Sequence, residues 1–338
     1  HDRNAFEVQL FCDSPAAAGL PGYGRHPRDR VHDTADLNND ELAEVIRASG
    51  VQILVDLSAY GVPQRLPLFT QHVAPVTIAW FNAFATSALP GFDYIVGDER
   101  VVHDGEERFF TEKILRLPMS YLTFEVTHPA PPVVPPPCLQ NRSVTFGSLV
   151  AQYKITPPVL DAWAEILRRT DGTRLLLANT ALRSIHNRSY VLERFTERGV
   201  GAERLILAGP AEHFAYLQKY NRIDAALDAF PYNGGTTTME AIWQGVPVLT
   251  FAGDRWASRT SQSLLHETPL RAFVAADVRS YVGRAVELAR DPATPVRLAE
   301  LRSQLRSSLQ SSPACNVREL ARGMERLYQS VWSNQPRL

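Results

Sequence analysis

Short apolar runs alternate along the chain with segments whose apolar positions recur every three or four residues. In the first half, Leu42, Val45 and Ile46 form one apolar face over residues 40–49 and predict a helix, while the run 51–57 predicts a strand. The other elements predicted in this half are strands at 6–11, 76–80, 92–97 and 113–117 and a helix at 64–72. Such alternation is typical of βαβ units and a mostly parallel sheet.

The second half repeats the alternation. Thr156 and Pro157 predict the start of a helix, as its N-cap and first residue. The strands predicted here are 143–147, 174–178, 204–208, 223–227 and 246–251. A final amphipathic helix is predicted from apolar residues spaced three or four apart, namely Val317, Leu320, Met324, Leu327 and Val331.

A proline-rich run at 129–137, Pro-Ala-Pro-Pro-Val-Val-Pro-Pro-Pro, separates the two halves. Proline is excluded from helix interiors and central strands, so the run favours an extended spacer. We therefore predict a first domain over 1–137, a second over 138–311 and a C-terminal helical segment at 312–334. A long surface loop within one domain is the alternative interpretation.

Composition narrows the function classes. The 338 residues are 45% hydrophobic and 21% charged, which excludes intrinsic disorder and is enough for about two domains. Lys plus Arg number 35 against 36 for Asp plus Glu, so there is no basic surplus for nucleic acid. No apolar stretch approaches the length that spans a membrane. The chain begins at His1 without a signal-peptide pattern, so we expect it to be part of a longer protein.

The three cysteines, Cys12, Cys138 and Cys315, are widely spaced and form no C-x-x-C pair. This pattern favours a reducing compartment such as the cytoplasm over a disulfide framework. With no Asp-x-Asp motif and no His/Cys cluster, we predict neither a metal site nor a cofactor.

The segment that follows the strand ending near Asp228 carries the most informative motif. A small, flexible loop leads to a helix predicted to start near Met239, where backbone N–H groups and the helix dipole favour an anion. An ordinary helix capped by Thr237 or Thr238 is the alternative interpretation. The candidate phosphate-binding residues are Gly234, Gly235, Thr236, Thr237 and Thr238.

Three further side chains are candidates for the same site. Lys154 lies between a strand end and a helix start, where ligands of open α/β sheets collect, and is placed to neutralise a departing phosphate. Glu240, predicted in the first helical turn, has a carboxylate suited to ribose hydroxyls. His213 lies near the same crevice. An unrelated surface position remains the alternative for Lys154 and for His213.

These segments together resemble the catalytic region of the O-GlcNAc transferase/SPINDLY family. The resemblance is carried by the run 230–247 followed by 252–259, Ala-Gly-Asp-Arg-Trp-Ala-Ser-Arg. Segments 56–60, 74–80, 146–148 and 154–157 agree in the same order, and 320–332 looks like the family's last helix. The match covers nearly the whole chain.

The resemblance implies the GT-B class of α/β fold, two Rossmann-like domains facing a cleft, with the last helix crossing back to the first domain. It also implies that the first domain lacks its N-terminal strand in this chain and that a tetratricopeptide region lies upstream. By analogy, Lys154 contacts the donor diphosphate, and we place Tyr153 and His213 among the donor-binding residues. Tyr60 and Asn82 fall on the acceptor side.

The activity implied is inverting, metal-independent transfer of GlcNAc or fucose, from UDP-GlcNAc or GDP-fucose, to Ser and Thr hydroxyls of proteins. The chain departs from the family pattern at 59–61, 81–85 and 149–151, on the sugar and acceptor side, so the sugar stays open. Two alternatives also stay open: another GT-B enzyme, such as a nucleotide-sugar epimerase or a small-molecule glycosyltransferase, and a non-catalytic nucleotide-sugar-binding module.

Overall fold

The computed structural model describes residues 1–14 and 26–334, which form two compact units. The first contains residues 1–128 together with the chain from Val317 onward, and the second contains Pro129–Asn316. No helix in the described part of the chain has the length and hydrophobicity needed to cross a membrane.

The first unit is built on parallel strands. β1 (Gln9–Cys12) and β2 (Arg30–Asp33) form a two-stranded parallel sheet. A second parallel sheet contains, in this order, β3 (Ile53–Asp56), β4 (Val76–Ala79), β5 (Tyr94–Asp98) and β6 (Lys113–Leu117). Helix α1 (Asn39–Ala48) begins with a capping box in which Asn38 accepts from the amides of Asp40 and Glu41.

The C-terminal helix, Val317–Ser333, belongs to this unit, and its predicted apolar face is the buried one. It lies close to β6, since a Cβ added at Gly323 would be only 2.8 Å from Leu117 Cδ2. A glycine at that point therefore permits the close approach of the helix to the strand.

Two features of the first half differ from the prediction. The helix predicted at 64–72 is a 3₁₀ helix over Pro63–Thr70, because Pro67 inside it lacks the N–H group that an α-helical ladder needs. Strand β2, with the polar sequence Arg-Val-His-Asp, was missed because it has no apolar run.

The second unit contains one six-stranded parallel sheet with the order β12-β11-β10-β7-β8-β9. Its strands are β7 (Thr145–Ser148), β8 (Arg174–Ala178), β9 (Leu205–Ala208), β10 (Ala225–Leu227), β11 (Val248–Phe251) and β12 (Val274–Ala275). Its helices are α2 (Cys138–Asn141), α3 (Pro157–Arg168), α4 (Ile185–Thr196), α5 (His213–Leu217), α6 (Thr236–Trp243), α7 (Thr260–His266), α8 (Val278–Arg290) and α9 (Thr294–Gln310). Numbered from β7, this is the doubly wound order 3-2-1-4-5-6.

The proline-rich run 129–137 lies with the second unit, so the division after His128 comes before the expected boundary at 137. The run is held there by contacts that the sequence does not reveal. Arg306 donates to the carbonyl of Pro131 at 2.7 Å, and a Cβ added at Gly245 would lie 2.6 Å from Val133 Cγ1. The run is therefore part of a packed unit and does not act as a free spacer.

A buried hydrogen-bond chain connects the core of the second unit to the end of β10. Trp163 Nε1, on α3, donates to the Tyr281 hydroxyl at 2.9 Å, and that hydroxyl donates to the carbonyl of Asp228 at 3.1 Å. Trp163 and Tyr281 are both fully buried. One hydroxyl thus satisfies two groups that water does not reach.

We expect Tyr281→Phe to lower the free energy of unfolding by about 1–3 kcal/mol, because it leaves the Trp163 N–H and the Asp228 carbonyl unpaired in the core. Urea denaturation would measure the loss. Tyr190→Phe is the matched control, since Tyr190 is exposed and its variant should stay within about 0.5 kcal/mol of the parent. Equal stabilities for the two variants would contradict the assignment.

Candidate active site

The strand order of the second unit reverses between β7 and β10, and in open α/β sheets ligands bind beyond the carboxyl ends of strands at such a point. Both loops singled out from the sequence leave the sheet there. A 3₁₀ turn over Gln152–Lys154 follows β7, and the loop 228–235 connects β10 to α6. The fold therefore brings the two predicted segments together.

Asp228, directly after β10, organises this loop. Its carboxylate is buried and accepts from the amides of Ala229 and Gly234 at 2.9 and 2.8 Å and from the Thr250 hydroxyl at 2.8 Å. Burial raises the pKa of this carboxyl, against the hydrogen bonds that favour its ionised form. Sequence reasoning used Asp228 only as a strand end, although an acid between an apolar strand and a Gly-rich loop was a usable signal.

Asn233 fastens the middle of the same loop. Its side-chain amide donates to the carbonyl of Ala229 at 2.8 Å, and its backbone N–H donates to the carbonyl of Ala257 at 2.8 Å. A side chain at Gly234 has no room, since its Cβ would lie 2.6 Å from the hydroxyls of Thr237 and Thr238. The path of the chain into α6 is thus fixed by contacts within the protein.

Lys154 lies against this loop. Its ammonium donates to the carbonyl of Asn233 at 2.6 Å and sits 3.6 Å from the centroid of the Tyr232 ring. Burial lowers the pKa of Lys154 to about 8, and the negative charge of Asp228 partly opposes that shift. Lys154 is therefore a partly buried, partnered cation, which makes an unrelated surface lysine the weaker interpretation. Tyr153 is exposed, with its ring centroid 6.0 Å from that of Tyr232.

Helix α6 begins at Thr236, three residues before the predicted start. Its N-cap is Gly235, so the proposal that Thr237 or Thr238 caps the helix was wrong. The helix starts early because Asp228 and Asn233 fix the loop up to Gly234, and the carbonyl of Gly235 already accepts from the amides of Thr238 and Met239.

A glycine N-cap leaves the first turn of α6 without a side-chain acceptor. Within residues 1–14 and 26–334, the backbone N–H groups of Gly235, Thr236 and Thr237 have no hydrogen-bond acceptor. A helix N-terminus with free N–H groups is a suitable site for an anion. An added Cβ at Gly235 would make an ordinary van der Waals contact, 3.8 Å from Thr260 Cγ2, so the position is not closed by a clash.

The three threonines are not equivalent. Thr236 is exposed and Thr237 partly so, and neither hydroxyl has a partner among the described residues. Thr238 is buried, and its hydroxyl is hydrogen-bonded to that of Ser261 at 2.9 Å. Thr236 and Thr237 can therefore face a ligand, whereas Thr238 joins α6 to α7.

Glu240 lies in the second turn of α6 and not in the first, because the helix starts earlier than predicted. Its buried carboxylate is 3.1 Å from Nε2 of His213, which is half exposed at the start of α5. The pair joins residues 27 positions apart. The buried Glu240 carboxylate and the accessible His213 ring thus lie together at the same end of the sheet.

The hydroxyl of Ser148 was not considered from the sequence. Ser148 ends β7 and, with Asp228 and Thr237, lines a small cavity below the start of α6. Its Oγ is buried without a hydrogen-bond partner among the residues that the structure describes. An unpaired polar group at this point can bind a water molecule or a ligand atom.

Tyr60 and Asn82 lie in the first unit, beyond the carboxyl ends of β3 and β4. The Tyr60 hydroxyl donates to the carbonyls of Ala85 and Thr86, at 3.1 and 2.8 Å, and Asn82 donates to the carbonyl of Leu57 at 3.1 Å. Both side chains thus connect the two loops to each other, and their acceptor role stays a prediction.

Across the described ranges, no group of three or more His, Cys, Asp or Glu side chains could hold a metal ion. The residues brought together after β7 and β10 are instead one lysine, a helix N-terminus and two hydroxyls. Such a set can bind and neutralise a diphosphate.

Comparison with known proteins gives a consistent result. The profile of glycosyl transferase family 41 matches residues 1–128 and 138–324. The chain is 33% identical over 302 residues to a probable UDP-N-acetylglucosamine–peptide N-acetylglucosaminyltransferase SPINDLY of Hordeum vulgare, covering 89% of this chain and 32% of that protein. The chain therefore spans about a third of the length of this curated relative.

Among solved structures, the O-GlcNAc transferase of Thermobaculum terrenum, determined as a point mutant, superposes with a TM-score of 0.88 at 34% identity. That alignment covers 98% of this chain and 62% of the other. The sucrose-phosphate synthase of Thermosynechococcus elongatus, at 13% identity and a TM-score of 0.57, shares the fold. The predicted fold class, α/β of the GT-B type with parallel sheets, and the predicted family resemblance are both confirmed.

Proposed function

The chain belongs to glycosyl transferase family 41, and on that premise we propose that it transfers a sugar from a nucleotide-sugar donor to Ser and Thr hydroxyls of proteins. The family membership supports the reaction class, and the name of the barley relative supports a peptide acceptor. The donors we propose are UDP-GlcNAc and GDP-fucose, with no further cofactor.

The proposal depends on one observation. Lys154 is hydrogen-bonded to the loop that leads into α6, and residues 235–237, where that loop enters the helix, have backbone N–H groups that are unpaired within the described part of the chain. The Lys154 ammonium is hydrogen-bonded to Asn233, two residues before the amide of Gly235. A diphosphate bound by the amides of 235–237 and the hydroxyls of Thr236 and Thr237 would lie beside a cation. This is the arrangement that a departing nucleoside diphosphate requires.

The chemical step follows from the charges. In inverting transfer, an acceptor hydroxyl oxygen bonds to the anomeric carbon and gives up its proton to water or to the leaving diphosphate, while the bond from that carbon to the β-phosphate oxygen breaks. Negative charge grows on the leaving diphosphate, and Lys154 and the start of α6 stabilise it there. We assign the nucleoside to the side of His213 and Glu240, whose carboxylate suits ribose hydroxyls.

The test is transfer of sugar from UDP-GlcNAc and GDP-fucose to protein, followed by mass spectrometry of the product, with the full-length protein that carries this chain. Thermal shift with each donor identifies the nucleotide, because binding stabilises the folded state. Consumption of donor without a protein acceptor would favour an epimerase or a small-molecule transferase. Binding without turnover would favour a non-catalytic module.

We also propose a reducing, cytoplasmic setting. Among the residues that the structure describes, Cys12, Cys138 and Cys315 form no disulfide, and Cys138 is buried. Burial raises its pKa to about 12, which keeps it an unreactive thiol.

We expect Lys154→Ala to slow transfer by about 30- to 1,000-fold. A unit charge about 4 Å from the leaving group, at an effective dielectric near 20, contributes roughly 4 kcal/mol of Coulomb energy. Only the part gained in the transition state speeds the reaction, and a gain of about 2–4 kcal/mol corresponds to a change in rate of about 30- to 1,000-fold. Donor affinity should fall less, since the loop amides remain. Lys154→Arg should restore only part of the rate, because its planar fork replaces a compact charge. Near-normal turnover by the Lys154→Ala variant would show that Lys154 takes no part in the mechanism.

We expect Gly235→Val to lower nucleotide affinity while the fold stays intact. Gly235 has a φ of −123°, and an added Cβ would make only an ordinary van der Waals contact, 3.8 Å from Thr260 Cγ2, so the new side chain would enter the region proposed for the diphosphate without a clash at Cβ. Calorimetric titration with UDP and GDP measures the change, and Gly283→Val, where an added Cβ meets no atom within 4 Å, is the control. An unchanged affinity for UDP and GDP would show that the loop only begins the helix and does not bind the nucleotide.

We expect donor binding and transfer to survive EDTA. Lys154 and the start of α6 supply the positive charge that a metal supplies in other transferases. The measurement is transfer rate with EDTA against rate with added Mg²⁺ or Mn²⁺. A strict requirement for either ion would contradict this assignment.

A further inference from the structure

The ring of Tyr232 and the ammonium of Lys154 form the closest cation–π pair in the described part of the chain. Nζ lies 3.6 Å from the ring centroid, whereas the other pairs lie 4.8–5.4 Å apart. The same Nζ donates to the carbonyl of Asn233, the next residue. Lys154 is thus held by two consecutive residues of one loop, through a ring on one and a carbonyl on the other.

The contact uses the face of the ring and does not need an ionised hydroxyl. Burial, followed by the neighbouring Tyr153, raises the pKa of Tyr232 to about 12, so the phenol is neutral wherever Lys154 titrates. Asp228 is the charged group that acts on Lys154, while Tyr232 and Tyr153 are the titratable groups beside it. A neutral aromatic face attracts a cation most when the pair is partly desolvated, as it is here.

We propose that Tyr232 is a positioning residue whose aromatic ring holds the Lys154 ammonium against the loop that leads into α6. The effect of Tyr232 on sugar transfer rests on the proposed function. The placement itself stands on the geometry of the free protein.

The consequence is a defined effect on the charge state of Lys154. Burial favours the neutral amine, and an aromatic face favours the ammonium. We therefore expect replacement of the ring by an aliphatic side chain that keeps the ammonium buried to lower the pKa of Lys154 further below about 8. The size expected from a cation–π pair is about 0.4–1.5 pH units.

The composition of the chain makes this measurable. This chain contains three lysines, Lys113, Lys154 and Lys219, so labelling of lysine Cε with ¹³C gives three NMR signals from this chain. Lys154→Arg assigns the signal of interest. Lys113 is exposed, and Lys219 is held elsewhere by the carbonyl of Gly209, so both serve as internal references for an intact fold.

The NMR titration compares Tyr232→Leu, Tyr232→Phe and pentafluorophenylalanine at position 232. The leucine and the electron-poor ring should lower the pKa of Lys154, whereas phenylalanine should keep it near the parent value, because its ring face is retained. The fluorinated ring preserves shape, so it keeps the test valid if Tyr232→Leu misfolds. Tyr190→Leu is the matched control, since it removes an exposed tyrosine that lies under Arg194.

Transfer gives a second readout. For a shift of one unit, kcat/KM of Tyr232→Leu should fall by about eightfold at pH 8.5 and by less than about 1.5-fold at pH 6.5. A Lys154 pKa that stays at the parent value with both leucine and the fluorinated ring would overturn the inference. Absence of transfer by the parent protein, with the NMR shift present, would instead overturn the proposed function alone.

Discussion

The buried carboxylate of Asp228 is the constraint on which the candidate site depends. A carboxylate removed from water must find donors, and the nearest available are the backbone amides of the loop that follows it. Accepting from Ala229 and Gly234 closes this loop and sets where α6 begins. The Tyr281 hydroxyl holds the carbonyl of the same residue, so the core and the site share one anchoring point.

Because the loop is fixed by the protein itself, its free groups are available in the absence of a ligand. The N–H groups of 235–237 are oriented by a helix that has no side-chain cap, and Lys154 is held nearby by Asn233 and Tyr232. Partial burial strengthens electrostatic interactions with a bound diphosphate and also penalises the ammonium. The lowered pKa of Lys154 reflects that penalty, and the negative charge of Asp228 counters part of it.

Local patterns predicted the fold well where an element carries an apolar run or an apolar helical face. The strands at 113–117 and 174–178 were correct to the residue, and Pro157 does begin α3. The misses have local physical causes as well. Pro67 prevents an α-helical ladder within Pro63–Thr70, which is a 3₁₀ helix, and β2 is a polar strand with no apolar run to reveal it.

The sequence by itself determined the parallel α/β class, the Gly-Thr loop and the candidate residues Lys154, His213 and Glu240, because hydrophobic period and turn chemistry depend on near neighbours. Only the tertiary structure decided which of these residues meet. The proximity of Lys154 to Asn233 follows from β7 lying beside β10, and that of His213 to Glu240 follows from the connection that returns from β9 to β10. Strand order is set by pairing between distant segments. The start of α6 was likewise decided by Asp228, a buried charge whose hydrogen bonds overrode the local preference of threonine for a helix cap.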